Sequence, residues 1–280
     1  VHGDNVIDVT DCKKGSLNRH IHYGKVLSGN FKVGDSVTTK VNRELREATQ
    51  RNHTTTHLLQ KALKMVLGDH VEQAGSFVSP TRLRFDFNHF QAMTEKEIKK
   101  VEKIVNQAIL SAYDVNIFET NIDDAKKMGA MALFGEKYGE IVRVVKVGDF
   151  SIELCGGCHI SNSAQVGMFK IIGESGVAAG IRRIEATTGM NTFNYMEQMD
   201  ETIHEASDVL KTSPDQLLNR LEEMEEQNKH KEKVIDELKQ KFAGNAAADI
   251  HQQVVVINGI QTTVASIDEM DMDELRNISD

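Results

Sequence analysis

Two pairs of metal-binding residue types stand far apart in this sequence. His53 and His57 are four residues apart in RNHTTTHLLQ, and Cys155 and His159 are four apart in ELCGGCHI. Two histidines at this spacing lie on one face of a helix, so both imidazoles can reach the same ion. In the second pair, the intervening glycines permit a tight turn that brings both ligands together. Nitrogen and sulfur ligands suit zinc, whereas magnesium and calcium require oxygen.

The donor set leaves the role of the ion open. HxxxH alone is common on helices that bind no metal, and the distant cysteine and histidine are what favour a site. Four protein ligands are typical of a structural zinc, whereas three ligands and a water are typical of a catalytic one. HTTTH also lacks the glutamate that serves as general base in HExxH peptidases, which argues against a zinc peptidase.

Composition predicts a soluble, cytoplasmic protein. The chain has 280 residues and three cysteines, too few for a disulfide framework, and CGGCH is typical of reduced thiols. It shows no signal peptide and no apolar run of membrane-spanning length, so no membrane partner is expected. Because the chain begins at Val1 and ends just after a helix signal, we expect an excised fragment.

Charge is unevenly distributed along the chain. Residues 1–190 contain 25 basic and 22 acidic residues, whereas residues 191–280 contain 8 and 20, and the net charge is −9. The acidic excess therefore lies in the last third, and the nearly neutral body can still meet a nucleic-acid backbone.

The pattern of elements predicts an α+β fold. Short alternating strands between glycines favour a small β-barrel over residues 1–42. A two-layer α+β domain is expected over residues 43–189. It opens with an amphipathic helix from about Arg43 to Leu67 that ends at Gly68.

A hairpin in VEQAGSFVSPTRLRFDF follows within this domain. Thr94 and Glu97 then form a predicted capping box for a helix that ends near Tyr113. Strands are expected at 115–118, 141–147 and 150–154, the last delivering CGGCH at its end.

Beyond Gly189 the pattern predicts a helical hairpin over residues 190–243, with its turn at Pro214. The second arm carries a heptad seam that is interrupted by Asn228 and Lys231 and otherwise consists of Leu217, Leu221, Met224, Ile235, Leu238 and Phe242. The seam could form a coiled coil with the first arm or with another chain, and the turn favours the first arm. Residues 244–280 are predicted to be a linker, at 244–249, followed by a strand pair (254–268) and a helix (271–279) of a further domain.

Five segments then carry a resemblance to a known family. HTTTHLLQKAL, QAGSFVSPTRLRFDF, GAMALFGEKYGE, FSIELCGGCH and GVAAGIRRIEATTG occur in the order and spacing of the editing region of alanyl-tRNA synthetases. The resemblance extends through the helical hairpin to the start of the C-terminal domain. Cys158 departs from the family's usual threonine and leaves open which cysteine binds the metal. Threonyl-tRNA synthetases have a similar editing domain, but there it precedes the catalytic body, so they fit less well.

The resemblance implies a proofreading hydrolase with zinc held by His53, His57, Cys155 and His159. Its substrate would be the ester of serine or glycine on the acceptor end of tRNA-Ala. The parent enzyme would attach alanine to tRNA-Ala using ATP, an activity not expected from this chain, and a homodimer could form through the parent's C-terminal region. Two alternatives are a stand-alone trans-editing protein of the same superfamily and a non-enzymatic, zinc-stapled tRNA-binding module.

Such a site must distinguish serine from the smaller alanine, and bulk cannot exclude alanine. We therefore expect a group that recognises the serine hydroxyl, with Thr54, Thr56 and Gln73 as candidates. The threonines could instead bond to their own helix, and Gln73 could simply be solvated.

Arg182 and Arg183 follow the glycine-rich GVAAG and are candidates for contacts to tRNA phosphates. The alternative is a surface strand with solvated charges. Since neighbouring strand residues face opposite ways, only one of the two arginines is expected to reach the tRNA. Arg84 and Asp86 share a strand face and are predicted to form a structural ion pair.

Overall fold

The computed structural model describes residues 1–16, 19–131, 139–251, 254–262 and 264. The chain divides into two compact units, Val1–Met196 and Glu197–Asp280. Most of the GAMALFGEKYGE motif, residues 132–138, lies outside the described residues, as does the helix expected at 271–279. The mixed α and β composition agrees with the expected α+β class. The division into four domains proposed from the sequence stays a prediction.

The first unit begins with a two-stranded antiparallel hairpin of β1 (Val6–Lys14) and β2 (His20–Ser28). The predicted β-barrel is wrong, because the described residues contain no closed barrel. Closure requires every strand to pair on both sides, and residues 29–42 add no strand to this hairpin. Both strands are largely exposed, so they enclose no interior.

Helix α1 spans Arg43–Leu67, as its periodicity predicted. The Asn42 side chain caps its first turn by accepting a hydrogen bond from the Leu45 N–H. Gly68 ends it with a φ of 115°, a conformation that favours glycine. The central part of the helix is buried, so the residues around HTTTH face the protein interior.

A four-stranded antiparallel sheet lies against α1. Its strand order is β3 (Gln73–Val78), β4 (Leu83–Asn88), β9 (Ile181–Thr188) and β8 (Phe169–Ala178). Helix α2 (Glu95–Leu110) carries the predicted capping box and ends slightly earlier than expected. The two helices and the sheet share one core, whose largest members include Leu58, Leu63, Phe85, Phe87 and Ile184.

A three-stranded antiparallel sheet completes the first unit, with β5 (Val115–Asn121), β6 (Ile141–Val147) and β7 (Ser151–Leu154) in that order. All three strands were expected from the sequence. Helix α3 (Ile122–Lys127), which follows β5, was not. Because β7 contacts α1 and ends at Leu154, it delivers CGGCH to the side of that helix.

The second unit contains most of α4 (Gly189–Val209) and all of α5 (Leu217–His251), joined by a turn that includes a 3-10 segment at Pro214–Gln216. The two helices and their turn agree with the sequence prediction. The linker predicted at 244–249 is wrong, since α5 continues through it, and the alanines there have high helix propensity.

The heptad seam of α5 is exposed rather than buried against α4. Leu221, Ile235, Leu238 and Phe242 are 47%, 52%, 59% and 58% exposed. The favoured intramolecular pairing is therefore wrong over the described length. Leu221, close to the turn, is already exposed, so the missing pairing does not follow from the length of α4.

A short hairpin of β10 (Val255–Ile257) and β11 (Ile260–Thr262) follows, matching the predicted strand pair. Among the described residues, no helix combines the length and apolar character needed to cross a bilayer.

Candidate metal centre

The four predicted metal ligands meet at one point. His53 and His57 lie one turn apart on α1, and Cys155 and His159 lie in the loop after β7. One nitrogen or sulfur from each residue lies within 4.8 Å of all the others. The Cys155 Sγ is 3.4 Å from the His53 Nε2 and 3.3 Å from the His159 Nε2.

These distances fit zinc. Bond lengths near 2.1 Å to nitrogen and 2.3 Å to sulfur place tetrahedral N and S ligands about 3.6 Å apart. The two separations from the Cys155 Sγ need to widen by only a few tenths of an ångström, whereas the most distant donors of the set, up to 4.8 Å apart, must move closer together. Cys158, the other cysteine of CGGCH, is not part of this donor set among the described residues. Its backbone instead forms a hydrogen bond with the His53 ring.

The CGGCH loop brings the Cys155 Sγ within 3.3 Å of the His159 Nε2, and its two glycines contribute differently to this loop. Neither Gly156 nor Gly157 adopts a positive φ. A Cβ built on Gly157 would overlap the His53 ring, whereas one on Gly156 would meet open space. Gly157 is therefore required because the imidazole occupies the space of a side chain. This packing fixes the loop against α1.

Arg143 on β6 holds the same loop from the other side. Its Nη1 donates to the carbonyl oxygens of Cys155 at 2.7 Å and Gly157 at 2.8 Å. The Cys155 N–H in turn donates to the Arg143 carbonyl at 3.0 Å. Arg143 was not predicted from the sequence. The feature that could have indicated it is a charged residue within the otherwise apolar strand segment IVRVV.

Thr54 orients the His159 ring. The Thr54 Oγ1 lies 3.1 Å from the His159 Nδ1 and accepts a hydrogen bond from the Ile160 N–H at 3.3 Å. Since the His159 Nε2 faces Cys155, its Nδ1 is assigned as the N–H that donates to Thr54. Metal-binding histidines are commonly held in this way by a second hydrogen bond.

Glu153 occupies the equivalent position behind His57. Its Oε2 lies 3.6 Å from the His57 Nδ1, and both side chains are buried. The His57 Nδ1 has no hydrogen-bond partner among the described residues. Ser151 donates to the other carboxyl oxygen at 2.9 Å, and burial raises the pKa of Glu153 to about 7. This residue was also missed.

Burial keeps the imidazoles neutral. It lowers the pKa of His57 to about 3 and that of His159 to about 2, with further lowering from the neighbouring rings. The pKa of His53 is lowered for the same main reason. Neutral rings have the free lone pair that a metal requires. Burial raises the pKa of Cys155, so a cation would be needed to hold it as the thiolate.

The substrate-recognition candidates are placed unequally. Thr56 is buried and donates to the His53 carbonyl at 2.7 Å, and the Thr54 hydroxyl is engaged with His159. Gln73 lies at the start of β3 and is partly exposed. Its side-chain amide makes no hydrogen bond within the described part of the chain, so of the three it is the one with free donors and acceptors.

Arg182 and Arg183 are both committed to carboxylates. Arg182 donates two hydrogen bonds to Glu174, each at 2.6 Å, and Arg183 donates two to Asp86 at 2.7 and 2.8 Å. The register places them on opposite faces of the sheet, as strand alternation predicted. The predicted Arg84–Asp86 pair is present at 3.6 Å but is secondary to that with Arg183.

Comparison with known proteins confirms the predicted resemblance. Residues 142–185 match the threonyl and alanyl tRNA synthetase second additional domain, a range that contains Arg143, Glu153, Cys155 and His159. An alanine–tRNA ligase of Alkaliphilus oremlandii is 49% identical over 274 residues, covering 98% of this chain and 31% of the relative. One of Acetivibrio thermocellus is 47% identical with the same coverage. Alanine–tRNA ligase 1 of Lachnoclostridium phytofermentans is 48% identical over 277 residues, 99% of this chain and 32% of the relative. The chain thus spans about a third of the length of these curated relatives.

Proposed function

We propose that this chain is the editing region of an alanine–tRNA ligase and hydrolyses the ester that joins serine or glycine to the end of tRNA-Ala. The observation that carries the proposal is the convergence of His53, His57, Cys155 and His159 within 4.8 Å. These residues stand in a chain that resembles alanine–tRNA ligases over nearly all of its length. The parent protein would attach alanine to tRNA-Ala using ATP.

The four residues would hold zinc, because neutral imidazoles and one cysteine are a donor set that zinc prefers. When bound, zinc would supply either a Lewis acid beside the ester carbonyl or, with all four protein ligands kept, a rigid anchor for the loop. In both cases Thr54 orients His159 through a hydrogen bond, and the Glu153 carboxyl lies 3.6 Å from His57. Arg143 fixes the carbonyls on either side of Gly156.

Hydrolysis of the ester requires the protein mainly to position the ester and a water molecule. An aminoacyl ester is already activated, so an oriented water can cleave it without a protein nucleophile. Cys155 belongs to the donor set, and burial raises its pKa, which disfavours the free thiolate. Cys158 is not needed as a covalent catalyst. The reaction is therefore direct hydrolysis.

Gln73 is the first candidate for recognising the serine hydroxyl, because the hydroxyls of Thr54 and Thr56 already form hydrogen bonds within the protein. An amide can donate to or accept from an alcohol, and alanine would leave that amide unpaired. Replacement of Gln73 by leucine should raise KM for the serine ester while leaving zinc content unchanged. An unchanged ratio of serine to alanine ester hydrolysis in this variant would exclude the role.

The proposal is tested with seryl-tRNA-Ala and alanyl-tRNA-Ala as substrates. The unaltered chain should deacylate the serine ester in preference to the alanine ester. Cys155→Ala should lose both this activity and its zinc. Cys12→Ala, which removes an exposed cysteine of the N-terminal hairpin, should keep both. Stoichiometric zinc with no hydrolysis by the unaltered chain would instead favour a zinc-stapled tRNA-binding module.

A further inference from the structure

A polar cleft lies beside the metal centre and is lined by residues of α1 and β7, the two elements that also position the metal ligands. It has a volume of about 520 Å³ and is lined by the C-terminal half of α1, the turn between β6 and β7, and residues that follow α3. Lys61, Lys64 and Lys146 face it, together with Asp69 and Asp149. None of these residues belongs to the donor set of the metal centre.

Two of the lysines form no ion pair, although Lys64 acts from a greater distance on the buried carboxyl of Glu153 and lowers its pKa. Lys146 lies 3.2 Å from Asp149, which neutralises it. Lys61 and Lys64 are partly buried, and no carboxylate of the described residues lies within ion-pair distance of either. Partly burying a charge costs solvation free energy unless a partner compensates for it. In a chain with 42 acidic residues, two unpaired lysines in one cleft indicate a site for an external anion.

The cleft lies within reach of the ester. His57, Lys61 and Lys64 share one face of α1, and a rise of 1.5 Å per residue puts Lys64 about 10 Å beyond His57. On β7, Ser151 lines the cleft and Cys155 follows the strand, which at 3.3 Å per residue is a separation of about 13 Å. Two independent elements thus place the cleft a similar distance from the metal ligands.

We propose that this cleft binds backbone phosphates of the single-stranded 3′ end whose ester is hydrolysed at the metal centre. The inference rests on the proposed function. Ammonium groups donate to phosphate oxygens without reading bases, so they position the strand and do not select its sequence. The lysines also supply the contact that Arg182 and Arg183 lack, because those guanidiniums are held by Glu174 and Asp86.

The test uses the full chain and an uncharged RNA acceptor-stem minihelix with a fluorescent label. Binding is measured by anisotropy over a series of salt concentrations. K61Q/K64Q should weaken binding about fivefold at low salt and reduce the slope of log K against log salt by about 1.4, since each phosphate contact on a single strand contributes about 0.7. K61R/K64R keeps both charges and should bind like the unaltered chain.

The matched control is K100Q/K103Q, which removes two charges with the same spacing from the exposed side of α2. Its affinity and slope should remain within twofold and about 0.3 of the original values. Equal effects of K61Q/K64Q and K100Q/K103Q would overturn the proposal, as would an unaltered chain that does not bind the minihelix. Glutamine keeps most of the lysine stem, and an unchanged melting temperature verifies folding.

A phosphate-free substrate separates this inference from the proposed function. The serine ester of adenosine carries the scissile bond and no backbone phosphate, so K61Q, which keeps the Lys64 charge near Glu153, should hydrolyse it at the original rate. If the unaltered chain hydrolyses neither ester and still shows lysine-dependent RNA binding, the proposed function fails and the cleft assignment stands. A loss of adenosine ester hydrolysis in K61Q would contradict a phosphate role.

Discussion

The metal centre is stabilised by contacts between residues far apart in the sequence, whereas helix α5 is stabilised by contacts between residues close together in it. In the metal centre, His53 and Cys155 are 102 residues apart in sequence and in contact in space, and every ligand ring has a further polar neighbour. On α5, side-chain ion pairs such as Arg220–Glu223 span three or four residues, and the apolar seam is exposed. A single substitution in the metal centre should therefore affect the stability and zinc binding of the whole site, whereas one on α5 should have only a local effect.

The largest difference is expected on removing a ligand. His57→Ala deletes a buried ring of the donor set and should destabilise the first unit by about 4 kcal/mol or more, with loss of zinc. Leu238→Ala, on the exposed seam of α5, should change stability by no more than about 0.5 kcal/mol. Denaturant unfolding with and without a chelator measures both. Equal effects of the two substitutions would contradict the comparison.

Gly157→Ala should have the next largest effect. The added methyl must displace the His53 ring, which should cost about 1–3 kcal/mol and lower zinc affinity. Gly156→Ala adds the same atom into open space one residue away and should leave both properties unchanged. The readouts are the melting temperature and zinc retention against a competing chelator. A Gly157→Ala protein with unaltered zinc affinity would show that the loop is not fixed by this contact.

Arg143→Met should cost about 2 kcal/mol, because two carbonyls near the metal ligands lose charge-assisted hydrogen bonds. The matched change on α5 is Arg220→Met, which removes an exposed ion pair with Glu223 at 3.2 Å. Such pairs contribute about 0.5 kcal/mol or less. Urea unfolding of both variants provides the comparison, and a larger effect at Arg220 would reverse it.

Thr54→Val should cost about 1–2 kcal/mol of stability, because the buried Ile160 N–H also loses its acceptor, and should have a measurable effect on the metal. It removes the hydroxyl that holds the His159 Nδ1 while keeping the side-chain shape, and should lower zinc affinity about tenfold to a hundredfold. Thr202→Val on α4 removes a hydroxyl that, within the described residues, bonds only to the carbonyl of Gln198, and it should leave zinc affinity unchanged. Competition with a zinc-binding dye distinguishes the two.

The sequence predicted features that depend on local patterns. Helix α1 and its end at Gly68 followed from periodicity, and the ligand pairs followed from helical and loop spacing. Glu153 and Arg143 were missed because their roles depend on which strand lies beside α1 and the CGGCH loop. That proximity arises from tertiary packing, and the residues of one strand do not show which other elements will pack against it.

The incorrect predictions have the same origin. Alternating residues in 1–42 indicated strands, but barrel closure depends on pairing partners that the alternation does not specify. The seam of α5 was correctly assigned to a helix, whereas its partner was not. Likewise, Arg182 and Arg183 were recognised as cations, but the carboxylates that hold them lie on neighbouring strands.

The central claim is that four side chains from two distant segments bind one zinc ion. Zinc K-edge X-ray absorption of protein purified without chelator tests it most directly. We predict roughly one zinc per chain, with three nitrogen neighbours near 2.1 Å and one sulfur near 2.3 Å. In Cys155→Ala the sulfur neighbour should disappear, whereas in Cys12→Ala it should remain. A zinc environment without sulfur in the unaltered protein, or one that keeps its sulfur in Cys155→Ala, would contradict the account.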